Sequence, residues 1–174
     1  EEKILVVGAG PAGLEAARIL GHRGYDVVLA EATSELGGRV NAESSLPGLS
    51  EWSRVRDYRV QQLIQMPNVD IYRESKLDAE QVLEFGFEHV CIATGAHWRR
   101  DGRGRYTPAA MDGCDLDGVM SVDDVMAGAD ATGPVVVYDD DHFYMGGVIA
   151  EKLKAAGHDV LLVTSSANLS PSTD

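Results

Sequence analysis

Lys3–Val7 is a short, unbroken apolar run, and Ala12–Arg23 then places Leu14, Ala17 and Leu20 at helical spacing before Gly24. The first pattern is that of a buried strand, and the second that of a helix closed by a left-handed glycine cap. Asp26–Glu31 repeats the strand pattern. The opening thirty residues therefore predict a βαβ unit with parallel strands and a right-handed crossover. Further along, Trp52, Val55, Tyr58, Leu63 and Met66 recur near helical spacing from Ser50 to the Pro67-Asn68 stop, as helix-packing residues. Val69–Tyr72 reads as a strand, Asp78–Glu84 as a helix capped by Asp78 and Gln81, and His89–Ala93 as a buried strand. Residues 96–120 have little periodicity and read as a connecting loop. Ser121 starts another capped helix, and Val135–Tyr138, Gly146–Ala156 and Val160–Val163 predict a second strand, helix and strand.

The two units correspond. Gly8 to Gly24 is sixteen residues, and Asp141 to Gly157 is also sixteen. Gly24-Tyr-Asp-Val-Val-Leu and Gly157-His-Asp-Val-Leu-Leu follow the two helices, and Leu5-Val-Val and Val135-Val-Val precede the two turns. This predicts an α/β, Rossmann-like FAD/NAD(P)-binding fold, a parallel sheet with flanking helices. Residues 1–130 form an ADP/FAD-type dinucleotide-binding domain in this reading, and 131–174 begin a second, degenerate NAD-type unit. Both ends read as cut, because Glu1 lies two residues before a strand and the last strand is followed by a short polar stretch. The fold is thus expected to be truncated at its C-terminus.

Charge narrows the partners. With 15 Lys+Arg against 28 Asp+Glu the net charge is −13, which repels nucleic acid and anionic lipid. No apolar run approaches the roughly 20 residues of a membrane helix. Cys91 and Cys114 have no metal or disulfide spacing, which fits a reducing cytoplasm, and Cys91 reads as a small core residue. His22, His89, His97, His142 and His158 share no ligand spacing and read as structural, so no metal ligand is assigned. Arg99, Arg100, Arg103 and Arg105 form either a solvated loop or a docking site for an acidic partner.

The turn after the first strand carries the chemistry. Gly8-Ala-Gly-Pro-Ala-Gly is G-x-G-x-x-G between a strand and a helix, and Glu31 ends the second strand 23 residues after Gly8. Gly8 permits a tight turn, Gly10 lets the backbone approach a pyrophosphate, and Gly13 lets helix and strand pack closely. Pro11 and Ala12 open the helix, whose unpaired amides favour an anion. Glu31 can accept bonds from both ribose hydroxyls and disfavours a 2′-phosphate.

The order of this motif, Glu31, Gly37-Gly38-Arg39 and Ala93-Thr94-Gly95 resembles the two-dinucleotide-domain flavoproteins related to glutathione reductase. The resemblance implies that an adenine nucleotide is bound by Gly8, Gly10, Pro11, Ala12, Gly13, Glu31, Gly38, Arg39, Thr94 and Gly95, with a backbone contact to adenine near Leu77.

In the second turn, Asp141, His142, Phe143, Tyr144 and Met145 precede Gly146, so only the third glycine of the motif survives. Phe143 puts a ring where a backbone must touch pyrophosphate, and Asp139, Asp140 and Asp141 bring like charge to a phosphate. The aspartates read either as a solvated turn or as the mark of a dinucleotide fold retired to scaffold. Together with Leu46-Pro-Gly-Leu-Ser-Glu-Trp-Ser, Arg56-Asp-Tyr-Arg and Tyr144-Met-Gly-Gly, this turn resembles the C-terminal region of the trimethylamine, dimethylamine and histamine dehydrogenases. These are iron–sulfur flavoproteins with an old-yellow-enzyme-type barrel. The resemblance implies ADP or FAD in this region, with no catalytic residue of its own. It implies FMN and a 4Fe–4S cluster elsewhere in a longer, homo-oligomeric amine dehydrogenase, and an electron-transferring flavoprotein as partner. Two alternatives stay open. One is the FAD-binding part of an NAD(P)H-dependent flavin oxidoreductase of the dienoyl-CoA reductase type, and the other is a non-catalytic nucleotide-binding module.

Overall fold

A computed structural model describes residues 2–173, which form two compact units. The first comprises the residues up to 45 together with 50–96, and the second comprises 46–49 and the residues from 97 onward.

In the first unit, β1 (Lys3–Val7), α1 (Pro11–His22) and β2 (Asp26–Ala30) are followed by α2 (Arg39–Glu43) and a 3₁₀ turn at Ser50–Trp52. The unit continues through α3 (Ser53–Ile64), β3 (Val69–Tyr72), α4 (Ala79–Glu84) and β4 (His89–Ile92). The strands are parallel in the order β3-β2-β1-β4. The chain runs outward from β1 to β3 and then returns to the other side of β1. The carboxyl ends of β1 and β4 therefore flank the point where the strand order reverses, the usual ligand crevice of an open α/β sheet.

The core explains these positions. Leu14 and Ala17 of α1 and Leu63 of α3 pack with Val6, Val27 and Leu29 of the central strands, all nearly or fully buried. Each large side chain contributes about 1.5–3 kcal/mol by leaving water. Asn68 fastens the end of α1 to β3 by donating to the carbonyls of Gly21 and Tyr25 at 2.9 and 2.8 Å. The Asp78/Gln81 capping box on α4 forms in both directions.

Two sequence readings need correction here. His89–Ala93 is not a buried strand, since β4 forms the edge of this sheet and Val90 and Ile92 are 38% and 64% exposed. Cys91 alone of that strand packs against the core, half-buried. Trp52 and Tyr58 also point outward, and Arg18 lies over the Tyr58 ring. Of α3, Leu63 is buried in the core and Val60 packs against it half-buried, and the helix is otherwise too polar to bury a wider stripe.

The second unit contains α5 (Val122–Met126), β5 (Val135–Asp139), α6 (Met145–Ala155) and β6 (Val160–Thr164), with β5 and β6 parallel. Leu46, Val125, Met145, Ile149 and Leu153 form its core. The loop over 99–105 is tied to local groups. Arg99 pairs with Asp101, Arg100 with Asp124, and Arg105 lies over Phe143. Among the described residues no helix is long and apolar enough to cross a membrane.

Candidate functional site

Three strand ends converge on the first glycine turn. Gly8 donates its N–H to Ala30 O, and Ala93 donates its N–H to Val7 O, each at 2.8 Å. Gly8 has φ +99, and a β-carbon there would run into the Ala93 carbonyl. Gly13, in the first turn of α1, faces the Gly8 carbonyl so closely that a β-carbon would collide with it. Both glycines are therefore required by the fold itself.

Gly10 is different. Its φ of −70 is open to any residue, and a β-carbon on it would meet nothing within 4 Å. It caps α1, and Pro11 stands at the first helical position, where the missing N–H costs nothing. The amides of Ala12 and Gly13 have no carbonyl within the helix to bind and lie at its positive end. Gly10 thus borders open space beside an anion-favouring helix terminus, and no internal contact requires it to be glycine.

The other expected residues gather around this turn to differing degrees. Gly37 donates to Ala9 O at 2.8 Å, and a β-carbon on Gly38, at φ +55, would come within 3.0 Å of Gly10 Cα. Arg39 follows at the start of α2, and its guanidinium donates to Ala96 O at 2.7 Å, just beyond Thr94 and Gly95. Leu77 is less directly placed. Two residues before it, Ser75 donates to Glu31 O at 2.7 Å, which hangs the loop after β3 on the end of β2.

Glu31 is buried, and its carboxylate is already engaged. Oε2 accepts the Ala9 N–H at 2.8 Å, and Oε1 accepts both the N–H and the hydroxyl of Thr33 at 2.9 Å. A carboxylate offers about four acceptor directions, so one remains for a ribose hydroxyl. A second opens if the Thr33 hydroxyl turns to Glu35 O, which also lies 2.9 Å away. Thr33 and Ala9 were not anticipated as site residues. The signal for Thr33 was its place two residues after Glu31, where a hydroxyl commonly closes a local turn.

The second turn is built otherwise. β1 pairs residue 7 with residue 30, a separation of 23, whereas β5 pairs residue 138 with residue 163, a separation of 25. The equal spacing of sixteen residues had equated Asp141 with Gly8. Strand register instead puts Asp139 in the place of Gly8 and Thr164 in that of Glu31, with two extra residues in the turn. Asp139 and Asp140 are 4% and 8% exposed, which excludes a solvated turn for these two. Asp139 Oδ1 accepts the N–H groups of Asp141 and His142 at 3.1 and 3.2 Å. Asp140 accepts the N–H groups of Tyr106 and Thr107 and the Thr107 hydroxyl, at 2.7, 3.1 and 2.9 Å. Burial pushes the Asp140 carboxyl up, but these donors and the nearby His142 hold it below the ordinary aspartate value. His142, at φ +64, stacks on Tyr106 and meets Ser165 Oγ through Nε2 at 3.0 Å.

Residues 2–137 match the family described as pyridine nucleotide-disulphide oxidoreductase. The chain belongs to that family. Among its relatives, dimethylamine dehydrogenase of Hyphomicrobium sp. (strain x) is 40% identical over 172 residues, covering 94% of this chain and 23% of that protein. The solved histamine dehydrogenase from Rhizobium sp. 4-9 is 57% identical with a TM-score of 0.90, over 97% of this chain and 26% of that one. The solved 6-hydroxypseudooxynicotine amine oxidase from Pseudomonas geniculata N1 is 49% identical with a TM-score of 0.95, over 98% and 26%. The chain therefore spans about a quarter of the length of these relatives.

Family membership gives the two turns a common frame. A pyridine nucleotide-disulphide oxidoreductase fold presents a glycine turn and helix terminus to a dinucleotide. The first turn of this family member fits such a group, because Gly10 borders open space and the Ala12 and Gly13 amides have no carbonyl within the helix to bind. The second does not fit it, because a side chain stands where the first glycine belongs and takes amides of the turn.

Proposed function

We propose that the first turn binds the ADP moiety of an adenine nucleotide, either ADP itself or FAD, for an amine-oxidising flavoprotein dehydrogenase that acts on CH–NH groups. Gly8, Gly10, Pro11, Ala12 and Gly13 form the pyrophosphate cradle, and Glu31 takes the ribose. Gly38, Arg39, Thr94 and Gly95 border the nucleotide, and the backbone at Leu77 meets adenine. The site belongs to the 1–130 portion, and 131–174 begin a second, degenerate NAD-type unit. The same reading assigns FMN, a 4Fe–4S cluster and a barrel to other parts of a longer cytoplasmic homo-oligomer that passes electrons to an electron-transferring flavoprotein.

What supports this reading is Gly10, a glycine that neither backbone conformation nor internal packing demands. Its remaining use is the close approach of something from outside the chain. The relatives supply the reaction class, since two of them are named as amine dehydrogenases and a third as an amine oxidase. A dienoyl-CoA reductase type would need a nicotinamide nucleotide in the second turn, where Asp139 fills the first glycine position.

The experiment is to denature the purified intact protein, separate the released small molecules, and compare adenine with flavin absorbance. One adenine nucleotide per chain is expected, as free ADP or as FAD. Intact protein that releases neither overturns the proposal.

A further inference from the structure

The glycine pair after β2 holds a conformation that its own residues do not enforce. Gly37 and Gly38 stand at φ +119 and +55, and glycine has more backbone freedom to lose than any other residue. Yet this pair lies against the first turn. Gly37 donates its N–H to Ala9 O at 2.8 Å, and a β-carbon on Gly38 would come within 3.0 Å of Gly10 Cα.

The bracing comes from two side chains outside the pair. Asn41, in α2, donates from Nδ2 to Leu36 O at 3.0 Å, the carbonyl immediately before Gly37. Arg56, in the first turn of α3, donates from Nη1 to Asn41 Oδ1 at 2.9 Å, and from Nε to Asp57 Oδ1 at 2.7 Å. With its oxygen taken by the guanidinium, the Asn41 amide can turn only its NH2 group to Leu36. The space beside Gly37 is filled by the same two residues, since a β-carbon there would run into Asn41 Oδ1 and come within 2.6 Å of Arg56 Cδ. Because Leu63 anchors α3 in the core, a chain of contacts runs from that helix through Arg56 and Asn41 to the glycine pair.

We infer that Arg56 and Asn41 are positioning residues of the nucleotide site, a clamp that holds Gly37-Gly38 against Gly10 before a ligand arrives. The inference rests on the first turn being an adenine nucleotide site. Neither residue touches the nucleotide in this assignment. A loop of two unbraced glycines has to be ordered at the moment of binding, and that lost entropy is subtracted from affinity. The clamp moves the ordering into the folding of the chain, so its effect is read in affinity.

The test is ADP binding by the intact, nucleotide-depleted protein, measured by titration calorimetry with urea unfolding alongside. The unmodified protein should bind one ADP per chain. Arg56→Met keeps the stem over Gly37 and loses the donor, and Asn41→Ala loses both bonds. Each should weaken ADP about 10-fold while the urea midpoint moves little, and the two together should be no worse than either alone. Arg56→Lys keeps the stem, the charge and a donor, so it should fall between the unmodified protein and Arg56→Met. An arginine acting through its charge alone would instead add its loss to that of Asn41→Ala. Additive losses overturn the clamp, and so does unchanged ADP affinity in both single variants, with or without a lower urea midpoint. Unmodified protein that binds no ADP removes the first-turn reading itself, so the two failures are distinguishable.

Discussion

The first and second turns share a scaffold and differ in where their empty space lies. In the first, Gly8 and Gly13 are filled around by the protein, and Gly10 faces outward onto nothing. In the second, the Asp139 carboxyl lies against Gly146 and accepts the Asp141 and His142 N–H groups, and the His142 ring stacks on Tyr106. A βαβ fold by itself therefore says little about nucleotide binding. The difference lies in the turn before each helix: Gly10 borders open space before α1, whereas the Asp139 side chain lies against Gly146 at the start of α6 and holds the Asp141 and His142 amides.

The sharpest way to break that comparison is at the glycines that look alike in sequence. Gly13→Val should cost about 3 kcal/mol or more of unfolding free energy, because the side chain collides with the Gly8 carbonyl, which is backbone and cannot turn aside. Urea unfolding measures this, and a loss under about 1 kcal/mol would mean that strand and helix are not pinned there. Gly10→Ala should do the reverse. Stability should stay within about 0.5 kcal/mol, while adenine nucleotide affinity falls about 100-fold, near 2.7 kcal/mol. Equal losses in both quantities would place Gly10 with the structural glycines and remove the main support for the first site.

A smaller effect is expected at Glu31. Glu31→Gln keeps an oxygen acceptor for either the Ala9 or the Thr33 donors, sets an NH2 group against the other, and weakens the charge-assisted bond to a ribose. Affinity should fall about 10-fold by titration calorimetry. An unchanged affinity would make Glu31 only a brace between β2 and the glycine loop.

Much of this contrast was legible in the residues. The apolar runs placed β1, β2, β3, β5 and β6, and the Asp78/Gln81 spacing marked a capping box that the structure forms. These signals are local, and short-range chemistry decides them. The edge position of β4 was not legible, because an apolar run looks the same at the centre of a sheet and at its border. The outward Trp52 and Tyr58 escaped for a similar reason, since helical spacing names a face without saying what it meets. The sixteen-residue match between the units misled in a more specific way. It counted from the helix end and could not show two residues inserted in the turn, which appear only in the pairing of residue 138 with residue 163. The glycine motif was readable as a tight turn between strand and helix, but which of its glycines the fold itself requires needed their surroundings.

The smallest effect separates the units by pH and salt. Asp140 is buried in the second unit, and burial pushes its carboxyl up, while the Tyr106 and Thr107 donors and His142 hold it below its ordinary value. Its folded value is thus below the unfolded value of about 3.9, so its stabilisation is present above that pH and lost as pH falls through the folded value. Glu15 in the first unit is also held low, chiefly by the Arg18 guanidinium against the effect of burial, with Arg59 adding to it at 2.8 Å. That carboxylate is 37% exposed, so salt screens it. Both Asp140→Asn and Glu15→Gln should flatten the acid limb of stability in urea unfolding between about pH 5 and 2. Only the Glu15 contribution should shrink in about 0.5 M salt, because the Asp140 donors are neutral dipoles at hydrogen-bond distance, which ions do not displace. If salt abolished both contributions equally, Asp140 would behave as a surface charge, and the picture of a second turn closed around its own carboxylates would fail.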